Sequence, residues 1–167
     1  MQMDRRSFLA FGGAAMVVGV AVTFPFDRDA GATPPRPGNF PYRLTDAQWR
    51  ARLTNMQYRV LRQGETEYAG TSPLNNEHRR GTFSCAGCAL PLYSSTTKFE
   101  SGTGWPSFWR PLPHAVVERP DNSLGTRRTE ILCARCGGHL GHVFNDGPRP
   151  TGLRYCMNGA ALTFRAA

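Results

Sequence analysis

Two Cys-x-x-Cys pairs, Cys85-Ala86-Gly87-Cys88 and Cys133-Ala134-Arg135-Cys136, constrain this chain more than any other feature. Each follows a short apolar run and leads into small residues, which is what a thiolate knuckle needs. Backbone amides after the first cysteine turn back toward sulfur, and glycine permits the tight bend. Together the two knuckles offer the four thiolates of a tetrahedral Zn2+ site. The stretch between them is much longer than in a compact zinc ribbon, so β-structure must bring them together. Two disulfides, or one pair serving as a dithiol redox centre, are the alternative uses of the same residues. An oxidising compartment favours the first, whereas neither pair opens a helix as a thioredoxin-type dithiol does. A closed four-thiolate site has no open position for chemistry, so the metal is expected to be structural.

The chain has five cysteines, and Cys156 is left over. By default a lone cysteine is a buried structural thiol. Its surroundings point elsewhere. On a strand, Arg154 and Asn158 share the face of Cys156, setting a cation and an amide beside a sulfur. A neighbouring cation lowers a thiol's pKa. The preceding run His139-Leu140-Gly141-His142-Val143-Phe144 carries two histidines able to transfer protons. Three residues apart, they fall on opposite faces of an ideal strand, and a bend or bulge at Gly141 is needed to bring both to Cys156. A second unusual run, Gly102-Thr103-Gly104-Trp105-Pro106-Ser107-Phe108-Trp109, offers an aromatic wall for an apolar substrate group.

Residues 1–32 read as a targeting segment rather than fold. Asp4-Arg5-Arg6-Ser7-Phe8-Leu9 is a twin-arginine pattern leading into a glycine-broken apolar run. It predicts export of the folded, metal-loaded protein to a periplasmic or other extracytoplasmic space, with membrane contact only if the segment stays uncleaved. Residues 33–42, rich in proline and glycine, read as a linker, and 43–167 as one domain. Thr45 and Gln48 form a capping-box pattern opening a short helix. A second is expected from Thr54 or Asn55 through Leu61, with Met56 or Tyr58 and Val60 or Leu61 inward.

The chain's 18 glycines and 13 prolines speak against a helical bundle. Strands are expected around Gly81–Ser84, Leu92–Ser94, Trp105–Phe108, Ala115–Glu118, Arg127–Leu132, His139–Phe144, Arg154–Met157 and Ala161–Phe164. The net charge of +8 comes from scattered arginines with no basic helix or stripe, which argues against nucleic acid.

Taken together these runs resemble the methionine-R-sulfoxide reductases of the B type. The matching pieces are Arg62, Gly64 and Thr66-Glu67; both Cys-x-x-Cys pairs; Lys98-Phe99-Glu100-Ser101-Gly102-Thr103-Gly104-Trp105-Pro106-Ser107-Phe108; Arg128-Thr129-Glu130; His139 to Phe144; Asp146-Gly147-Pro148; and Gly152-Leu153-Arg154-Tyr155-Cys156-Met157-Asn158. They cover about Leu44 to Phe164. The resemblance implies a mainly β fold of two antiparallel sheets, a β-tent, with short N-terminal helices and structural zinc at Cys85, Cys88, Cys133 and Cys136. It implies thiol-dependent reduction of protein-bound methionine-R-sulfoxide through a Cys156 sulfenic acid. His139, His142 and Asn158 would bind and polarise the sulfoxide oxygen. Trp105, with Phe144, would line the methyl pocket, and Arg154 would support the thiolate. The partners implied are oxidised proteins and a thioredoxin-like or other external thiol.

Two positions depart from the family pattern. Thr103 stands where many members carry a resolving cysteine, which makes the external thiol obligatory. Gly159 stands where a serine commonly follows the asparagine, which loosens the expected constraint on Asn158. The competing readings are a zinc-stabilised binding module without turnover and a Cys–His hydrolase, for which the sequence offers no third residue to orient the histidine.

Overall fold

A computed structural model describes residues 38–123 and 125–167. The twin-arginine segment and the first part of the linker lie outside the described residues. The end of that linker is packed: the Tyr42 N–H donates to the Arg135 carbonyl at 2.9 Å, and the Phe40 ring lies over Gly137, where a Cβ would come within 2.4 Å of it.

The two expected helices form α1 (Asp46–Arg52) and α2 (Asn55–Tyr58), each opened by a complete capping box, Thr45 with Gln48 and Thr54 with Gln57. The chain then passes through a π turn at Arg59–Gln63, closed by Gly64 in the left-handed region. Trp49, Tyr58, Val60 and Leu61 are buried, while Met56 faces out.

Nine strands follow among the described residues. They are β1 (Gly81–Cys85), β2 (Pro91–Ser94), β3 (Lys98–Phe99), β4 (Ser107–Phe108), β5 (Val116–Asp121), β6 (Arg128–Cys133), β7 (His139–Phe144), β8 (Arg154–Met157) and β9 (Leu162–Ala166). They make a three-stranded sheet in the order β2-β1-β9 and a six-stranded sheet in the order β3-β4-β8-β7-β6-β5, with antiparallel pairing throughout. The strand expected over Trp105–Phe108 is shortened to Ser107–Phe108, because Pro106 has no N–H to give a ladder. β5 runs past its expected end to Asp121, and β3 joins the sheet edge by pairing with β4.

The core lies between the sheets. Tyr93 from β2 stacks on Phe108 from β4 at 4.3 Å, and Phe83 from β1 meets Phe108 edge-on at 5.0 Å. The Tyr93 hydroxyl donates to the Met157 sulfur at 3.1 Å, tying β2 to β8. On β8, Tyr155 and Met157 point into this core. Period-two alternation therefore turns Arg154, Cys156 and Asn158 to the opposite face. The two knuckles sit at strand ends. Cys85 closes β1, and Cys133 to Gly138 forms the turn of the β6–β7 hairpin.

Candidate active site and metal centre

The four knuckle sulfurs are buried and lie within 4.8 Å of one another. Two close approaches cross between knuckles: Cys85 to Cys136 at 3.7 Å and Cys88 to Cys133 at 3.5 Å. A disulfide needs about 2.05 Å, and all five cysteines are free thiols. A tetrahedral thiolate centre with metal–sulfur bonds of about 2.3 Å separates its sulfurs by ~3.8 Å, which is the spacing here. The residues fit a structural metal. Three arginines surround it through backbone carbonyls: Arg52 donates to Gly87, Arg62 to Cys136 and Arg135 to Cys88, at 3.0–3.1 Å. Four thiolates around a divalent ion carry a net charge of about −2, and these guanidiniums offset it.

The other centre is built on β8. Cys156 pairs across the ladder with Ser107 of β4 on one side and His142 of β7 on the other. His142 and Cys156 therefore face each other on one surface of the sheet. The β6–β7 register shifts by one residue opposite Leu140: Ile131 pairs with Gly141, but Leu132 pairs with His139. The extra residue rotates His139 onto the face of His142, and their rings lie 5.4 Å apart. Gly141 is required by close approach, since a Cβ there would fall 2.0 Å from the Cys156 carbonyl oxygen.

Cys156 is half-buried in a cavity of about 150 Å³, walled by Trp105, His142, Phe144, Asn158 and Arg128. At about 30 Å³ per water, that is room for roughly five waters, the scale of a small side-chain end group. His139 is buried behind His142, its Nδ1 2.6 Å from Glu130 Oε1. His142 Nε2 lies 2.8 Å from Asp121 Oδ2. Both histidines thus have an orienting carboxylate, and the third group that the sequence reading found lacking is supplied twice. Arg154 forms a two-pronged ion pair with Asp146 at 2.8 and 2.9 Å and lies over the Phe144 ring. The Asp146 hydrogen bond first, and the charge of the nearby Cys156 sulfur, raise the Arg154 pKa above its ordinary value. The guanidinium is therefore a fixed charge beside the sulfur.

Glu67 carries a positioning role that its place in the sequence does not reveal. Its backbone carbonyl accepts from Trp105 Nε1 at 3.1 Å, and its N–H donates to Asn158 Oδ1 at 3.0 Å. Its buried carboxylate accepts from the N–H groups of Gly159 and Ala160. Asn158 Nδ2 also donates to the Leu140 carbonyl at 3.1 Å. Asn158 is therefore fixed at both ends of its amide, and one Nδ2 hydrogen remains for the cavity. Gly159 does not loosen it, because a Cβ at 159 would fall 1.8 Å from Ser72 Oγ. The hydroxyl of Ser72 fills that volume. Thr103 Oγ1 lies 3.8 Å from Cys156 Sγ, and hydroxyls continue through Ser101 to Ser107 at 2.8 Å steps.

The SelR domain matches residues 53–166 of this chain. The chain is 56% identical over 128 residues to the peptide methionine sulfoxide reductase MsrB of Leptospira interrogans, covering 76% of this chain and 98% of that protein. It is 58% identical over 121 residues to the MsrB of Thiobacillus denitrificans, covering 72% and 92%. Identity to the chloroplastic peptide methionine sulfoxide reductase B1 of Oryza sativa is 50% over 128 residues, covering 76% and 60%. With this coverage, and with the paired sheets and clustered thiols of its fold, the chain belongs to the SelR-domain family of MsrB-type peptide methionine sulfoxide reductases.

Proposed function

We propose that this protein reduces the R-sulfoxide of methionine in oxidised polypeptides, with Cys156 as nucleophile, as a repair reaction. The observation that carries this is a half-buried thiol facing a carboxylate-held imidazole in a cavity backed by Trp105. Trp105 and Phe144 offer apolar faces for the S-methyl group. Asn158 offers an amide hydrogen to the sulfoxide oxygen, and His142 a second once it has taken up the Cys156 proton. The Cys156 thiolate, with the Arg154 guanidinium on the same face, attacks the sulfoxide sulfur. That oxygen leaves poorly unless protonated, which gives His142 the task of proton donor. His139, behind it and held by Glu130, acts through His142.

The thiol proton passes to the imidazole and on to the oxygen. Attack joins Cys156 Sγ to the substrate sulfur; the protonated oxygen then passes from that sulfur to Sγ as the new S–S bond breaks, so methionine leaves with the electron pair and Cys156 is left as a sulfenic acid. One external thiol then condenses with the sulfenic acid, releasing water and forming a mixed disulfide. A second thiol displaces Cys156. The four-thiol site suits Zn2+, held by Cys85, Cys88, Cys133 and Cys136, which would supply folding energy and no reaction step. The Arg5-Arg6 run supports delivery of the folded protein to an extracytoplasmic space.

With dithiothreitol as reductant, the protein is expected to consume the R epimer of a blocked methionine sulfoxide and leave the S epimer. Chiral chromatography of the residue reads this. Turnover of both epimers or of neither refutes the reading, and neither would favour the non-catalytic binding module.

The Thr103 contact yields a second expectation. In Thr103→Cys, a thiol stands within reach of Cys156. After one equivalent of sulfoxide this variant should hold a 103–156 disulfide visible by mass, whereas the native protein should hold a sulfenic acid trapped by dimedone. Dimedone trapping in the variant equal to that in the native protein would count against it.

A further inference from the structure

We infer that Asp121 is a positioning residue for His142, an inference resting on the reading that His142 delivers the proton to the sulfoxide oxygen. Asp121 ends β5, two strands from His142 across the six-stranded sheet. Its carboxylate reaches over β6 and accepts three hydrogens: from the Ser123 N–H at 2.9 Å, from Arg128 Nη2 at 2.6 Å, and from His142 Nε2 at 2.8 Å. The Asp121 and His142 side chains are only 16% and 12% exposed, so water competes weakly for the contact. The backbone N–H of Ser123 first, and then its hydroxyl, His142 and Arg128, hold the Asp121 carboxyl far below the usual carboxylate range. The group is ionised and can only accept.

An acceptor-only partner fixes the proton on His142 Nε2. Nδ1, which has no hydrogen-bond partner among the described residues, is then the nitrogen left to exchange protons in the cavity. His139 is held the other way round, with Nδ1 on Glu130. The two histidines are therefore not interchangeable: each carboxylate selects a different ring nitrogen. When His142 takes up the Cys156 proton on Nδ1, Asp121 stabilises the imidazolium without itself being protonated. When the S–O bond breaks, that proton moves to the oxygen and His142 returns to its neutral Nε2–H form. Arg128 keeps the Asp121 charge compensated in both states.

The test uses the full chain with zinc bound, as Asp121→Ala and as Asp121→Asn. The asparagine variant keeps the volume and an acceptor for Ser123 but can donate to the ring, which admits the other tautomer. Expected in both is a loss in kcat of about 10- to 100-fold, with KM on blocked methionine-R-sulfoxide held within about twofold. Zinc content and the rate of Cys156 alkylation by iodoacetamide should stay near native. Nitrogen-15 shifts should show His142 as Nε2–H in the native protein and as a tautomer mixture in the variants. If the alanine variant fails to fold, the asparagine variant decides. Native kcat in the folded variants overturns the inference, and so does a kcat loss with His142 still wholly Nε2-protonated. A native protein that reduces no sulfoxide would end the proposed function instead, and the His142 tautomer would still decide whether Asp121 sets it.

Discussion

Cys156→Ser is expected to yield a folded, metal-loaded protein whose sulfoxide reduction falls by at least about 10³-fold. Sulfur can attack another sulfur, accept its oxygen and pass that oxygen on as water. A serine hydroxyl is un-ionised at neutral pH and has no counterpart to the sulfenic acid. No other cysteine can substitute, because the other four are buried together in the four-sulfur cluster. The fold should not notice the change. Cys156 is half-buried on the face away from the core, and serine keeps its place between Ser107 and His142. A shift in stability within about 1 kcal/mol is expected for such a site. Turnover of the R epimer, zinc content and thermal midpoint measured on one preparation check this. Retained turnover would sink the assignment of the nucleophile.

Removing the metal should have the largest effect on stability. Stripping it with a strong chelator is expected to lower the thermal midpoint by about 10 °C or more, corresponding to a few kcal/mol for a domain of this size. Four thiols held at 3.5–3.7 Å contacts have no reason to stay together without an ion. Arg52, Arg62 and Arg135 would then converge on a site that no longer carries negative charge. The loss should be partial rather than total, because the Phe83–Phe108 and Tyr93–Phe108 ring contacts between the sheets use no metal ligand. Calorimetry before and after chelation, with zinc added back, measures it. A midpoint indifferent to chelation would mean that the cluster is a set of packed thiols and no metal centre.

Much of this was legible in the sequence. The knuckles, the capping box at Thr45 and the alternation along Arg154–Met157 are local patterns, and local patterns are read without knowing what lies opposite. The face shared by Arg154, Cys156 and Asn158 follows from the strand period alone. What escaped depends on pairing. The Asp121 carboxylate meets His142 only because β5 runs beyond Glu118 and its last residue overhangs β6, which no spacing along the chain encodes. The role of Glu67 is likewise hidden from the sequence. Its part in the site is played by its backbone carbonyl and N–H as much as by its side chain, and backbone groups leave no mark on residue identity. Gly159 read as a loosened position until Ser72, distant in the chain, was seen to fill the space.

The Cys133 knuckle is also the turn of the β6–β7 hairpin, and the bulge at Leu140 lies just beyond it. Hairpin register is set at the turn, and a slip of one residue exchanges the two faces of a strand. A turn clamped by metal cannot slip. An ion buried in thiolates, taking no part in any electron or proton movement, thus acts as the index mark from which β7 is counted. It decides that His142, and not Val143, stands across from Glu130.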